Sequence, residues 1–403
     1  MLETISKSLT EGHFKDQFKK LGLPTKRWED WKYTSIDEEL SAAHAPYESL
    51  YTDFDPSILG DLSSLHRVVF IDGAPISSLF KLPKTIQPIE EAPSHFWGTK
   101  NKDPFFHWNL ASSSSELILK VQDNSTIHSP LLCVFLTTEL GKNKINTPRL
   151  GVIGGKSSRF NLIDLSLSPA LNNFSYTTNR VIQLKLEKEA TAKHVSLQME
   201  GPKALSISQF IGHANRDSSL THLSISLGSK KSRVNQQLHL DKEGANGEIH
   251  ALLPLQNEQH GDIFSEIHHH AAHTTSSQLV KSLLADNSHG VFTGFVHVER
   301  NAQQINANQL NKNILLSKKA QISTRPQLAV FADDVKCAHG ATIGQMDPEE
   351  IFYLTSRAIK KDRAIEILNA GFCQDVILKL QDSGLESLLW PFIKNHLPKG
   401  GEL

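Results

Sequence analysis

From Ser114 to Ala341 the chain is written in short runs that alternate apolar and polar residues, and no other feature restricts its fold so strongly. Glu116-Leu-Ile-Leu-Lys-Val121, His194-Val-Ser-Leu-Gln-Met199, Leu205-Ser-Ile-Ser208 and His222-Leu-Ser-Ile-Ser-Leu227 are examples. A period of two sends successive side chains to opposite faces, so each run reads as a strand. Several turns between them place a small residue after a charged or turn-favouring pair: Lys188-Glu-Ala190, Arg216-Asp-Ser218, Glu243-Gly-Ala245, Arg300-Asn-Ala302 and Lys318-Lys-Ala320. The intervals between these small residues are 28, 27, 57 and 18. Units of this size, unable to bury a face alone and stacked on their neighbours, describe a β-helix or related solenoid. A β-sandwich also accommodates such turns, so the residues by themselves leave both architectures open.

The flanks have a different period. Ile5, Leu9, Phe14, Phe18 and Leu21 recur at helical spacings, and Trp28 and Trp31 follow the break at Leu23-Pro24 as anchors of a small helical domain. After Gly344, Asp347 is a good N-cap, Pro348 suits the first helical position and Glu350 the third. Ile351, Leu354, Ala358 and Ile359 line one face of that helix. Ile365, Leu368, Phe372 and Val376 mark a second helix that Gly371 divides, and Leu385 to Ile393 a third that Pro391 kinks or breaks. The expected division is a helical domain over 1–100, a β core over 101–344 and a helical domain over 345–403, with Gly400–Leu403 frayed.

At 403 residues, with 42 Lys plus Arg against 43 Asp plus Glu, the chain lacks the basic excess of a nucleic-acid binder. Cys133, Cys337 and Cys373 are too few and too scattered for a disulfide framework, which fits a reducing compartment. The N-terminus has no signal-like apolar stretch. The longest purely apolar run, Leu131–Leu136, is far short of the roughly 18 residues a membrane span needs. The expectation is a soluble, cytoplasmic protein.

Few motifs carry chemistry. Gly154-Gly-Lys-Ser157 mimics a P-loop, but Leu150 stands where the first glycine is required, so the segment is read as a turn. There is no G-x-S-x-G. Asp333-Asp334 would face opposite ways on a strand and suits a strand end better than a pair of catalytic carboxylates. His268, His269, His270 and His273 form the densest imidazole cluster: His269 and His273 share a face if helical, His268 and His270 if extended. In Phe331-Ala-Asp-Asp-Val-Lys-Cys-Ala-His-Gly-Ala-Thr-Ile-Gly344, Cys337 and His339 lie two apart and face the same way on a strand. A thiolate and an imidazole on one face suit iron, copper or zinc.

That C-terminal run resembles a signature of the SufB/SufD family of the SUF iron–sulfur cluster assembly machinery. Leu21-Gly-Leu-Pro-Thr-Lys-Arg-Trp-Glu-Asp-Trp-Lys-Tyr-Thr34 is similar to the N-terminal signature on the SufD side of that family, which the longer SufB side lacks. His269-His-Ala-Ala-His-Thr-Thr-Ser276 and Leu284-Ala-Asp-Asn-Ser-His-Gly-Val-Phe-Thr-Gly294 fit the family's core. The resemblance implies a right-handed parallel β-helix flanked by helical domains, and a non-catalytic scaffold supporting cluster formation and iron acquisition. It implies SufB and the SufC ATPase as partners, the latter through the C-terminal helices, with sulfur arriving from SufS/SufE or SufU. A nascent cluster or iron shared with SufB at Cys337 and His339, and FADH2 on the whole complex, are implied in the same way. A SufB-like subunit that itself accepts sulfur is the nearest alternative, and the scarcity of cysteine opposes it. A β-helix polysaccharide lyase or hydrolase is more remote.

Overall fold

The computed structural model describes residues 9–10, 12–42, 54–94, 96–98, 101–112, 116–169 and 173–398. Ile5 and Gly400–Leu403 lie outside them. The chain is mainly β, wound into a solenoid of about 8 turns with helices at both ends. Two sheets of ten strands each form its walls. The first runs from His66–Ile71 through Leu131–Leu136, Arg159–Leu167, Thr191–Met199, Ser219–Ser226, Asn246–Leu255, Thr275–Leu284 and Ile305–Leu315 to Val335–Gly344. The second runs from Ile86–Ile89 through Glu116–Val121, Arg149–Gly154, Tyr176–Leu186, Ala204–Ala214, Lys231–Leu240, His260–His269 and His289–Val298 to Gln321–Val330. Pairing along both is parallel except at the start, where Ala74–Pro75 and Ile86–Ile89 pair antiparallel. Strands therefore begin at His66, ahead of the expected boundary at residue 100. The prolines of that region had disguised two short strands that complete the first rungs.

The turns explain the rung length. Ser157, Glu189, Asp217, Gly244 and His273 all have positive φ, turning the chain sharply at one corner. Each is followed by a small residue buried in that corner: Ser158, Ala190, Ser218, Ala245 and Thr274. Ala302 and Ala320 are buried at turns as well. The recurring small residues of the sequence are thus the corners of the solenoid.

Alternation sorts side chains between a narrow interior and two outer walls. Leu162, Leu184, Phe210, Leu220, Leu238 and Ile249 pack inside. On the outer wall of the first sheet Val195, Leu197, Leu223, Ile225, Leu252 and Leu279 are covered by Ile365, Cys373, Val376, Ile377, Leu389 and Ile393 of the C-terminal helices. Asp347 caps the helix Pro348–Thr355 by accepting from Glu349 N at 2.8 Å. That helix stops before Ala358, which has φ of 64°. The next, Lys361–Ile377, continues through Gly371, and the last, Ser383–His396, continues through Pro391. Packing against the wall overrides the local helix breakers.

The second sheet's outer wall receives the N-terminal segments. Phe18, Trp31, Phe105 and Trp108 form a buried cluster with Leu205 and Ile207. The guanidinium of Arg233 lies 4.5 Å from the Trp31 ring centre, pairs with Asp262 at 2.6 Å and donates to the Asp30 carbonyl at 2.8 Å. Arg325, on the last strand of the same sheet, pairs with Glu29 at 2.6 Å and Asp30 at 2.9 Å. The tryptophan-rich block is therefore a clamp across several rungs, with Trp31 buried and Trp28 half-buried.

Candidate functional site

Val335–Gly344 is the terminal strand of the first sheet and pairs with Ile305–Leu315. On that neighbour Ile305, Ala307, Gln309, Asn311 and Asn313 are buried while the residues between them are exposed, so the odd positions face the interior. The register sets Cys337 opposite Ala307 and His339 opposite Gln309. Both residues thus continue the interior face onto the last rung, where no further strand covers them. Cys337 is half-buried and packs with Val296, Val298, Ala302, Ile305 and Ala307, whereas His339 is exposed. The expected shared face is present.

Burial raises the Cys337 thiol above its usual range. The other two cysteines are less usable. Cys133 lies in the interior, where burial and then the nearby Asp164 charge raise it further. Cys373 sits on the buried face of the helix Lys361–Ile377, and burial pushes it up to about 12. Only Cys337 has solvent access, and it needs a metal or a base to become a thiolate.

Behind His339 the interior is unexpectedly polar. One register column carries His194, His222, Ile249, Gln278, Gln309 and His339 on successive rungs. Gln309 Nε2 donates to Gln278 Oε1 at 2.6 Å, and Gln278 donates in turn to Ser265. The Oε1 of Gln309 is buried without a partner. Gly294 makes room for this chain, since a Cβ there would lie 2.4 Å from Gln309 Nε2 and 2.5 Å from Phe292. Deeper in, Asp164 pairs with Arg180, accepts from Ser196 at 3.1 Å and lies 2.9 Å from His194 Nε2. Sequence reading missed this column because its members lie about one rung apart in the chain and each sits among other polar residues of its own strand. Its signal is recurrence at rung spacing, which appears only once the register is known.

The remaining candidates fall in distinct places. His269 faces inward, fully buried, 2.7 Å from Thr274 Oγ1 and 2.9 Å from Ser276 Oγ. His273 is a turn residue, so the two do not share a helical face. His268 and His270 face outward together, as the extended reading requires. Gly154 ends the strand Arg149–Gly154 and Gly155–Ser157 turn the chain into the next, while Asp333-Asp334 is an exposed bend before the last strand. No helix among the described residues is long and apolar enough to cross a membrane.

A stack of parallel rungs ending in an uncovered Cys-x-His pair makes this protein a β-solenoid, and comparison with known proteins specifies its family. Residues 135–372 match the model of the SufBD core domain of SUF-system FeS cluster assembly, and the chain belongs to that family. It is similar to the iron–sulfur cluster assembly protein SufD of Escherichia coli strain K12, at 27% identity over 95% of this chain and 92% of the relative. An iron–sulfur cluster assembly SufBD family protein of Synechocystis is 28% identical over 92% of this chain and 86% of its own length. The chloroplastic protein ABCI7 of Arabidopsis thaliana is 29% identical over 69% of this chain and 59% of its own length.

Proposed function

We propose that this chain is the SufD-type scaffold subunit of a cytoplasmic SUF complex, supporting cluster formation and iron acquisition. Its open last rung meets a SufB-type scaffold and its C-terminal helices meet a SufC-type ATPase. Sulfur reaches the complex from SufS/SufE- or SufU-type donors, and reduced flavin acts at the level of the complex. The observation that carries the reading is that half-buried Cys337 and exposed His339 share one face of the uncovered last strand. The nascent cluster is cargo here, and the donor set fits a shared site. Cluster ligation usually takes four protein ligands and this edge offers two, so the rest come from the partner. Labile ligation suits a scaffold that hands its cargo on. The imidazole carries more of the work than the thiol, because it ligates at neutral pH without first losing a proton.

The test is the purified complex carrying His339→Ala or Cys337→Ala, assayed anaerobically for iron and acid-labile sulfide. Subunit stoichiometry should persist while iron retention weakens by ~10-fold or more for His339→Ala and less for Cys337→Ala. Full iron and sulfide in both variants would remove these residues from the site. Dissociation of the complex would assign them to the interface instead.

The ATPase contact has its own test. Phe352 and Tyr353 are 72% and 56% exposed on the helix Pro348–Thr355, whose half-buried Ile351 packs against the cluster on the solenoid wall. Replacing both, Phe352→Ser with Tyr353→Ser, should abolish capture of a SufC-type ATPase while leaving the circular dichroism unchanged. Undiminished capture would place the docking surface elsewhere.

A further inference from the structure

Four histidines occupy one register column on the outer wall of the second sheet: His213, His239, His268 and His297. They are 26, 29 and 29 residues apart in the chain, one per rung. Successive ring centres lie 4.7, 4.8 and 5.6 Å apart. His270, just beyond the strand end and on the same face, brings its ring to 5.3 Å from His239 and 5.8 Å from His268. His239 Nδ1 and His270 Nε2 are 3.0 Å apart. One ring nitrogen from each of His239, His268 and His270 lies within 4.8 Å of the other two.

Carboxylates stand behind these rings. Glu299 Oε1 lies 2.6 Å from His270 Nδ1, which fixes that nitrogen as the donor and turns the Nε2 lone pair toward His239. Glu266 Oε2 lies 3.9 Å from His268 Nε2 and is itself held by Gln237 Nε2 at 2.7 Å. Asp241 lies 2.9 Å from His213 Nδ1. Carboxylate-oriented imidazoles of this kind are the usual surroundings of metal-ligating histidine.

We propose that His239, His268 and His270 form a three-imidazole site for a divalent first-row transition ion, with solvent in the fourth position of a tetrahedron. Nitrogen ligands favour zinc, iron, nickel or copper over magnesium and calcium. A tetrahedral ion about 2.1 Å from each nitrogen holds them ~3.4 Å apart, somewhat closer than the widest separation here. The three rings lie within 11° of parallel, so closure turns at least one of them about χ2, a soft torsion in histidine. The site is on the opposite sheet from Cys337 and His339 and does not depend on them.

Co(II) is the probe, because its visible absorption reports tetrahedral ligation. Titrated into the metal-free full-length chain, it should bind one equivalent with an intense visible band that Zn(II) displaces. His268→Gln with His270→Gln should weaken that binding by ~100-fold, and His270→Gln alone, at a partly exposed strand end, by ~10-fold. His339→Ala should leave it unchanged. No tetrahedral band in the wild-type chain, or an equal band in the double variant, would overturn the site and leave the column as a packing ladder. Loss of the band in His339→Ala with retention in the double variant would overturn it equally, by assigning the ion to the last rung.

Discussion

Arg180→Met should lower the stability of the fold by ~3–5 kcal/mol, a large part of the ~5–15 kcal/mol that holds a typical protein together. Arg180 pairs with Asp164 inside the solenoid, donates to Ser166 and to Ser196 Oγ, the latter at 3.0 Å, and lies 5.1 Å from the Phe135 ring centre. Burial alone would push the Asp164 carboxyl up, yet the Arg180 charge and the hydrogen bonds from His194 and Ser196 hold it below the ordinary range. Removing the guanidinium leaves a buried carboxylate with dipoles but no opposite charge. The double variant Asp164→Leu with Arg180→Met should recover much of the loss, because a buried ion pair gains little over apolar packing. Urea unfolding measures both. An unchanged midpoint in Arg180→Met would mean that the pair is hydrated.

Mild acid should unfold this protein before its carboxylates titrate. His222, His250 and His269 are fully buried, and burial is the largest cause holding each below its ordinary value, to about 4 for His269. Further down, neighbouring charge deepens the shift: His194 and Arg180 for His222, His270 and His268 for His269. The unfolded chain takes up these protons near pH 6.5 while the folded chain refuses them. Stability is therefore full above about pH 6.5 and falls as the pH drops from there toward the folded values. Each such histidine contributes about 1.4 kcal/mol per pH unit across that window. Urea midpoints between pH 7.5 and 5 should decline steeply, and His269→Gln should flatten the slope by about one proton. A flat profile over this range would show that the buried rings accept protons without opening the fold.

The parts legible in the sequence are those that local chemistry writes. Period-two alternation gave the strands, and its logic placed Cys337 and His339 on one face. Asp347 and Pro348 marked a helix start, and small corner residues such as Ala190 and Ala245 marked rungs. What stayed hidden depends on register. The inward column from His194 to Gln309 and the outward column from His213 to His297 join residues about one rung apart in the chain, and no single run contains two members. Gly371 and Pro391 misled for the opposite reason: their local preference is real, and the solenoid wall outweighs it.

The C-terminal helices are bonded to widely separated rungs. Asn161 donates to Asp382 at 2.9 Å, Lys193 to the Gln381 carbonyl at 3.0 Å, and Lys281 to the Phe372 carbonyl at 2.9 Å and to Asp375 at 2.7 Å. The strands bearing Asn161 and Lys281 are four steps apart in the sheet, ~19 Å at the usual strand spacing. A bare stack of rungs is a pile of plates, each gripping only the next and free to shear. Splinted across several plates at once, it becomes a beam. A torque delivered to the helices is carried along the whole wall, and its free end is the rung that bears Cys337 and His339.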